Sequence, residues 1–113
     1  MADNKALKNK CIITVATTGA WPKKENNPNV PMTPAEIAED VYACWKVGAA
    51  MAHLHMRDDE GNGTMDKAKF AETVRLLREN HPDCDVILNL TTSGDLFATD
   101  ETRQIHLKEL RPE

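Results

Sequence analysis

The segment AHLHMRDD, Ala52 to Asp59, holds two histidines two residues apart, then an arginine, then two acids. Side chains of a strand alternate faces, so His53 and His55 would point the same way with Leu54 opposite. Two imidazoles on one face can share a Zn²⁺ ion at about 2.0–2.1 Å each. Arg57 continues that face if the strand runs so far, and a guanidinium beside a metal suits a carboxylate. The same spacing also fits two half-buried histidines bonded to backbone. A pair of ligands falls short of the three that an ordinary catalytic zinc takes from its protein. His81 and His106 fall at a helix end and on a helix, away from the strand ends. Asp58 and Asp59 read as solvated turn residues.

Two further stretches could do chemistry. NLTTSG carries the hydroxyls of Thr91, Thr92 and Ser93, which with nearby backbone N–H groups would accept a carboxylate or phosphate. The alternative is a capped loop of turn formers. TTGAW places Thr17, Thr18 and Gly19 in a second small polar loop.

Three strands must position these groups. CIITVAT (Cys11–Thr17) is apolar and β-branched and predicts a strand buried on both faces. The loop after it, TGAWPKKENNPNVPM, is long for a compact α/β unit, and such loops tend to be functional. TPAE opens a helix, with Thr33 as cap, Pro34 in the first position and Glu36 completing a capping box. Ile37, Val41, Ala43, Cys44 and Val47 form its apolar stripe, and Gly48 ends it. Ala49 to His55 predicts the second strand, followed by a turn through DDEGNG. Asp66 starts a helix with Phe70, Val74 and Leu77 on its apolar face, and His81-Pro82 ends it. Val86 to Leu90 predicts a third buried strand. Thr99 or Asp100 caps a last helix running to about Leu110. Strand and helix alternate three times, which implies parallel pairing through right-handed crossovers. All three strands then end in polar groups on one rim, where α/β folds build their sites.

Bulk properties narrow the class. With 113 residues the chain has room for one domain. Its 41% hydrophobic and 28% charged content suits a globular protein, and a net charge of -4 argues against nucleic acid. No apolar run reaches the roughly 18 residues of a membrane span. MADNKALKNK has no apolar run after its lysines, so it is not a secretory signal, and residues 1–9 read as a flexible tail. Cys11, Cys44 and Cys84 are odd in number and widely spaced, which suits free thiols in the cytoplasm.

The stretches ITVATTGAW, PMTPAEIAEDVYACWKVGAAMAHLHMRDDEGNGTMD and VILNLTTSGD, in that order, resemble the start of the β-keto acid cleavage enzymes over residues 10–113. The resemblance implies a TIM (β/α)8 barrel, with this chain covering about its first three βα units. It implies Zn²⁺ held by His53, His55 and a later glutamate. It also implies condensation of a β-keto acid with acetyl-CoA to give acetoacetate and a new acyl-CoA. Thr91 would help hold substrate, with Thr92 and Gly94 shaping the loop. A later aspartate would act as base, assisted by a later arginine, so no catalytic residue is assigned within this chain. Some members carry a glutamate after TGA that pairs with a substrate amino group. Here Trp21 stands there, which implies an apolar or neutral substrate tail, although a cation–π contact or simple loop packing also fits an indole. A TIM barrel takes roughly 250 residues, so the chain reads as a fragment, inactive alone and homo-oligomeric when intact. Two other readings stand beside this one. One is a non-catalytic βα module that self-associates. The other is an amidohydrolase-like metal hydrolase, in which the HxH sits on the first barrel strand.

Overall fold

The computed structural model describes residues 8–112; residues 1–7 of the expected tail lie outside the described residues. The order is β1 (Thr14–Val15), α1 (Pro34–Lys46), β2 (Met51–Leu54), β3 (Met56–Arg57), β4 (Gly63–Thr64), α2 (Lys67–Asn80), β5 (Ile87–Leu90) and α3 (Asp100–Leu110). The alternation produces the expected parallel sheet, in the order β1-β2-β5.

Capping starts each helix where the sequence places it. Glu36 N donates to Thr33 Oγ1, and the Glu36 carboxylate accepts from the N–H groups of Thr33 and Met32. The Met32 N–H contributes most to holding that carboxyl below its ordinary range, ahead of the Lys24 ammonium. Asp66 and Thr99 cap α2 and α3 through their side-chain oxygens. Such caps are worth about 1 kcal/mol each.

The register decides what faces the helices. Val15, Ala52 and Leu88 lie in one row, and Leu54 and Leu90 in the next. They pack on Ile37, Ala38 and Val41 of α1 and on Phe70 and Leu77 of α2. Fully burying one such side chain stabilises by about 1.5–3 kcal/mol. Thr14, Met51 and Ile87 share a row on the opposite face, followed by His53 and Asn89. That face is open: Thr14, Ile87 and Asn89 are exposed, and Met51 and His53 half-buried.

Several expectations therefore change. Cys11–Thr17 is not a strand buried on both faces. Only Thr14–Val15 pairs, and Ile12 and Ile13 are 68% and 53% exposed because β1 is a sheet edge with one bare side. β5 alternates between exposed and buried for the same reason. Ala43 on α1 and Val47 at its C-cap are exposed, while Ala38 is in the core. DDEGNG does more than turn. β3 and β4 pair antiparallel across it, and Asp58 Oδ1 accepts from the N–H groups of Glu60 and Asn62. Asp58 is thus a half-buried turn former, whereas Asp59 is exposed and pairs with Lys69 at 2.7 Å. No described helix is long and apolar enough to cross a membrane. Cys11, Cys44 and Cys84 are free thiols.

Candidate functional site

His53 lies on the open face of β2, and His55 lies just beyond the strand, between β2 and the β3–β4 hairpin. Their rings meet edge to face, with centroids 5.1 Å apart and planes at 74°. His53 Nδ1 is 2.7 Å from Oδ1 of Asn89, its register partner on β5. An amide oxygen only accepts, so this contact is a hydrogen bond in the tautomer with the proton on Nδ1 and the lone pair on Nε2. His55 is buried, and its Nδ1 has no hydrogen-bond partner. Burial lowers the His55 pKa, and the neighbouring His53 and Arg57 lower it further. A neutral imidazole with an unmet buried nitrogen has the chemistry to ligate a cation, although both ring nitrogens of buried His106 are unpartnered too.

The spacing suits one ion. An ion at bonding distance from a ring nitrogen lies about 3.2 Å from the ring centroid. Centroids 5.1 Å apart put both rings within reach of one ion, provided a nitrogen of each faces it. The pair supplies only two ligands. Among the described residues, no group of three or more His, Cys, Asp or Glu side chains could hold a metal. His106 is not available to the pair. It is fully buried on α3 and stacked on Phe70 at 4.5 Å. Burial pulls its pKa down, partly offset by the nearby backbone of Thr91 and Leu90. His81 caps α2, where Tyr42 stacks on it and Glu39 bonds its Nε2.

Arg57 is placed differently from the expectation of a guanidinium facing the histidines. It is 3% exposed, and its fork donates to the carbonyls of Ala20, Gly19 and Pro22 at 2.6, 2.8 and 3.2 Å. Its Nε is buried without a partner. The side chain ties the loop after β1 to the hairpin. On the far side of that loop, Thr18 Oγ1 donates to the Pro31 carbonyl. Gly19 takes a φ of +67°, where a side chain would be strained.

The loop after β5 is braced similarly. Thr91 is buried, and its Oγ1 accepts from the Ser93 N–H at 3.1 Å. Its own N–H continues the sheet by donating to Leu54. Thr92 is exposed, with its carbonyl accepting from Arg103. A Cβ on Gly94 would meet Thr64 O at 2.8 Å and Met65 Sδ at 3.0 Å, so this glycine is required by the hairpin lying against it.

Apart from His55, which lines neither, the candidate residues divide between two adjoining hollows. His53, Thr91 and Thr92 line one of about 720 Å³ along the end of β5, with Asn89. Trp21, Arg57 and Gly94 line another of about 590 Å³, together with Leu96 and Phe97. Ser93 borders both. Trp21 and Phe97 are 75% and 93% exposed there. Sequence reasoning missed Asn89, Leu96 and Phe97. The signal for Asn89 was a lone amide in the apolar run VILNL. For the other two no short-range signal exists, because their role depends on which loop lies opposite.

The arrangement defines an α/β chain with an imidazole pair and a hydroxyl-bearing loop at adjacent parallel strand ends. The chain belongs to the beta-keto acid cleavage enzyme family, whose model matches residues 10–113. It is 43% identical over 104 residues to the 3-keto-5-aminohexanoate cleavage enzyme of Fusobacterium nucleatum, covering 92% of this chain and 37% of that protein. It is 39% identical over 109 residues to the 3,5-dioxohexanoate:acetyl-CoA acetone transferase of Paraburkholderia graminis, covering 96% of this chain and 34% of that one. The chain thus spans about a third of the length of these curated relatives. Among solved structures, the binary complex of ObcA with oxaloacetate is similar, with a TM-score of 0.61 and 28% identity over 71% of this chain and 20% of that one.

Proposed function

We propose that these residues belong to a zinc-dependent β-keto acid cleavage enzyme and form about the first three βα units of a (β/α)8 barrel. The net reaction exchanges acyl groups: the β-keto acid's acyl group passes to CoA, and the acetyl group joins the released two-carbon acid as acetoacetate. The observation that carries this reading is the His53–His55 pair, 5.1 Å apart, with a buried unpartnered nitrogen. The open sheet face supports the barrel, since it holds His53 and Asn89 where a barrel interior would lie. The intact enzyme would be a cytoplasmic homo-oligomer.

Bound zinc supplies Lewis-acid polarisation of the keto oxygen, which acidifies the carbon between carbonyl and carboxylate. His53 and His55 hold the ion as neutral imidazoles. Thr91, on the adjoining strand end, offers a hydroxyl proton to substrate while its oxygen stays capped on Ser93. Thr92 and Gly94 shape that loop. Arg57 acts through the loop it braces, placing Trp21 at the substrate's variable end. Trp21, Leu96 and Phe97 give that end apolar walls beside Lys23, Asp58 and Asp95, and the indole of Trp21 in place of a carboxylate favours a neutral or apolar tail over 3-keto-5-aminohexanoate.

The test is a chimera in which residues 10–113 replace the matching segment of the Fusobacterium nucleatum relative. It should form acetoacetate from acetyl-CoA and a neutral β-keto acid. His53→Ala or His55→Ala should abolish both activity and bound zinc. The isolated chain should make no acetoacetate. A folded chimera that retains full activity without either histidine would refute the assignment.

A further inference from the structure

Asn89 sits on the open face of β5, directly across from His53 in the parallel register. It is exposed in a strand whose alternate residues Leu88 and Leu90 are buried. Its amide oxygen lies 2.7 Å from His53 Nδ1. This single contact has a chemical consequence. A neutral imidazole carries one proton on either nitrogen, and the nitrogen without it is the ligand. An acceptor at Nδ1 fixes the proton there, fixes the ring's orientation, and leaves the Nε2 lone pair available. The second histidine differs. His55 Nδ1 is buried and bonded to nothing. The pair is therefore asymmetric, with one ring oriented by a strand neighbour and the other held by packing.

We propose that Asn89 is a positioning residue that holds His53 in the Nδ1–H tautomer and so presents Nε2 to the metal ion. The metal half rests on the zinc reading above; the tautomer half does not. The amide achieves this without adding a negative charge beside the ion, unlike the carboxylate partners common behind metal-bound histidines. Its exposure makes replacement structurally mild, because no core packing depends on it.

The experiment uses the full 113-residue chain labelled with ¹⁵N in histidine, with His53→Gln to assign the resonance. Long-range ¹⁵N–¹H spectra of the metal-free chain at pH 8 report the tautomer, and Co²⁺ titration of the chimera described above, which adds the later part of the barrel, reports affinity by absorbance. In the unsubstituted chain His53 should carry its proton on Nδ1. Asn89→Leu should release that preference and weaken Co²⁺ binding by about 10–100-fold. Asn89→Asp, which keeps an acceptor at Nδ1, should restore the tautomer and most of the affinity. A His53 already protonated on Nε2, or one whose tautomer is unchanged in Asn89→Leu, overturns the inference. So does a Co²⁺ affinity that Asn89→Leu leaves unaltered while the tautomer moves. Should Co²⁺ fail to bind even the unsubstituted chimera while the tautomer responds as expected, the metal reading falls and the Asn89–His53 contact stands.

Discussion

Gly63 and Gly94 touch backbone to backbone: a Cβ built on Gly63 would come within 2.1 Å of the Gly94 carbonyl oxygen. The hairpin and the loop after β5 can approach this closely only because neither residue has a side chain. Gly63→Ala must therefore push the two segments apart. A destabilisation of about 2–3 kcal/mol is expected, at the upper end for overpacking. Gly94→Ala meets Thr64 O at 2.8 Å and should cost less. Urea midpoints of the two variants give the order, and a Gly63→Ala chain as stable as the original would show that the loops are not in contact.

Arg57 spends its fork on three carbonyls of one loop. Hydrogen bonds to a charged group are worth more than neutral ones, so Arg57→Ala should lower stability by about 2–3 kcal/mol. Arg57→Lys offers a single ammonium in place of a planar fork and should recover less than half of that. Proteolytic nicking between Ala20 and Lys24 should accelerate in both variants. Unaltered cleavage there would detach the guanidinium from the loop's order.

His55 and His106 are both buried and both have pKa values below the ordinary range, with burial the leading cause. In the metal-free chain the neutral forms are favoured by folding. Stability is therefore full above about pH 6.5 and falls as the pH drops through that value toward the folded pKa of each. The limiting slope is about 1.4 kcal/mol per pH unit for each histidine. Denaturation midpoints between pH 8 and pH 5 check the direction. The double variant His55→Gln/His106→Gln should flatten the profile, and an equally steep one would place the titration elsewhere.

Trp21 and Phe97 leave the second hollow walled by exposed aromatic surface. In the chimera described above, Trp21→Glu should shift preference toward an amino-bearing β-keto acid by roughly tenfold, since a carboxylate would pair with the ammonium there. Trp21→Ala should raise KM for apolar tails with little change in kcat, the pattern for a group that binds ground and transition states alike. Competition between a neutral and an amino-bearing substrate reads the ratio directly. No change in that ratio would remove Trp21 from the substrate's variable end.

Ile87 is 45% exposed on the open side of the sheet, and Ile12 and Ile13, 68% and 53% exposed, precede its edge strand β1. An apolar face beside an unpaired strand edge invites association. The isolated chain should sediment as more than a monomer at micromolar concentration. Ile13→Lys/Ile87→Lys should shift it toward monomer without lowering its helix content. A monodisperse monomer before substitution would contradict this, and would also count against the self-associating module as an account of the chain.

Local rules were enough for much of this protein. The Thr33–Glu36 capping box, the Asp66 and Thr99 caps and the alternation of strand with helix depend on residues within a few positions of one another. The parallel sheet follows from that alternation, and the motifs of residues 10–113 carry the family. What tertiary structure decided lies between distant segments. Whether CIITVAT is buried on both faces depends on what covers β1, and one side is open. Arg57 stays near enough to His55 to lower its pKa, but carbonyls of the loop 37 positions earlier in the chain engage its fork. Although His55 lies just past the end of β2, the closeness of His53 and His55 was readable from their spacing. The partner that fixes His53 in one tautomer was not, because Asn89 is 36 residues away and meets it only through the register of β2 against β5. Short-range pattern reports propensity and phase, whereas register and loop contact are set by the whole sheet and its packing.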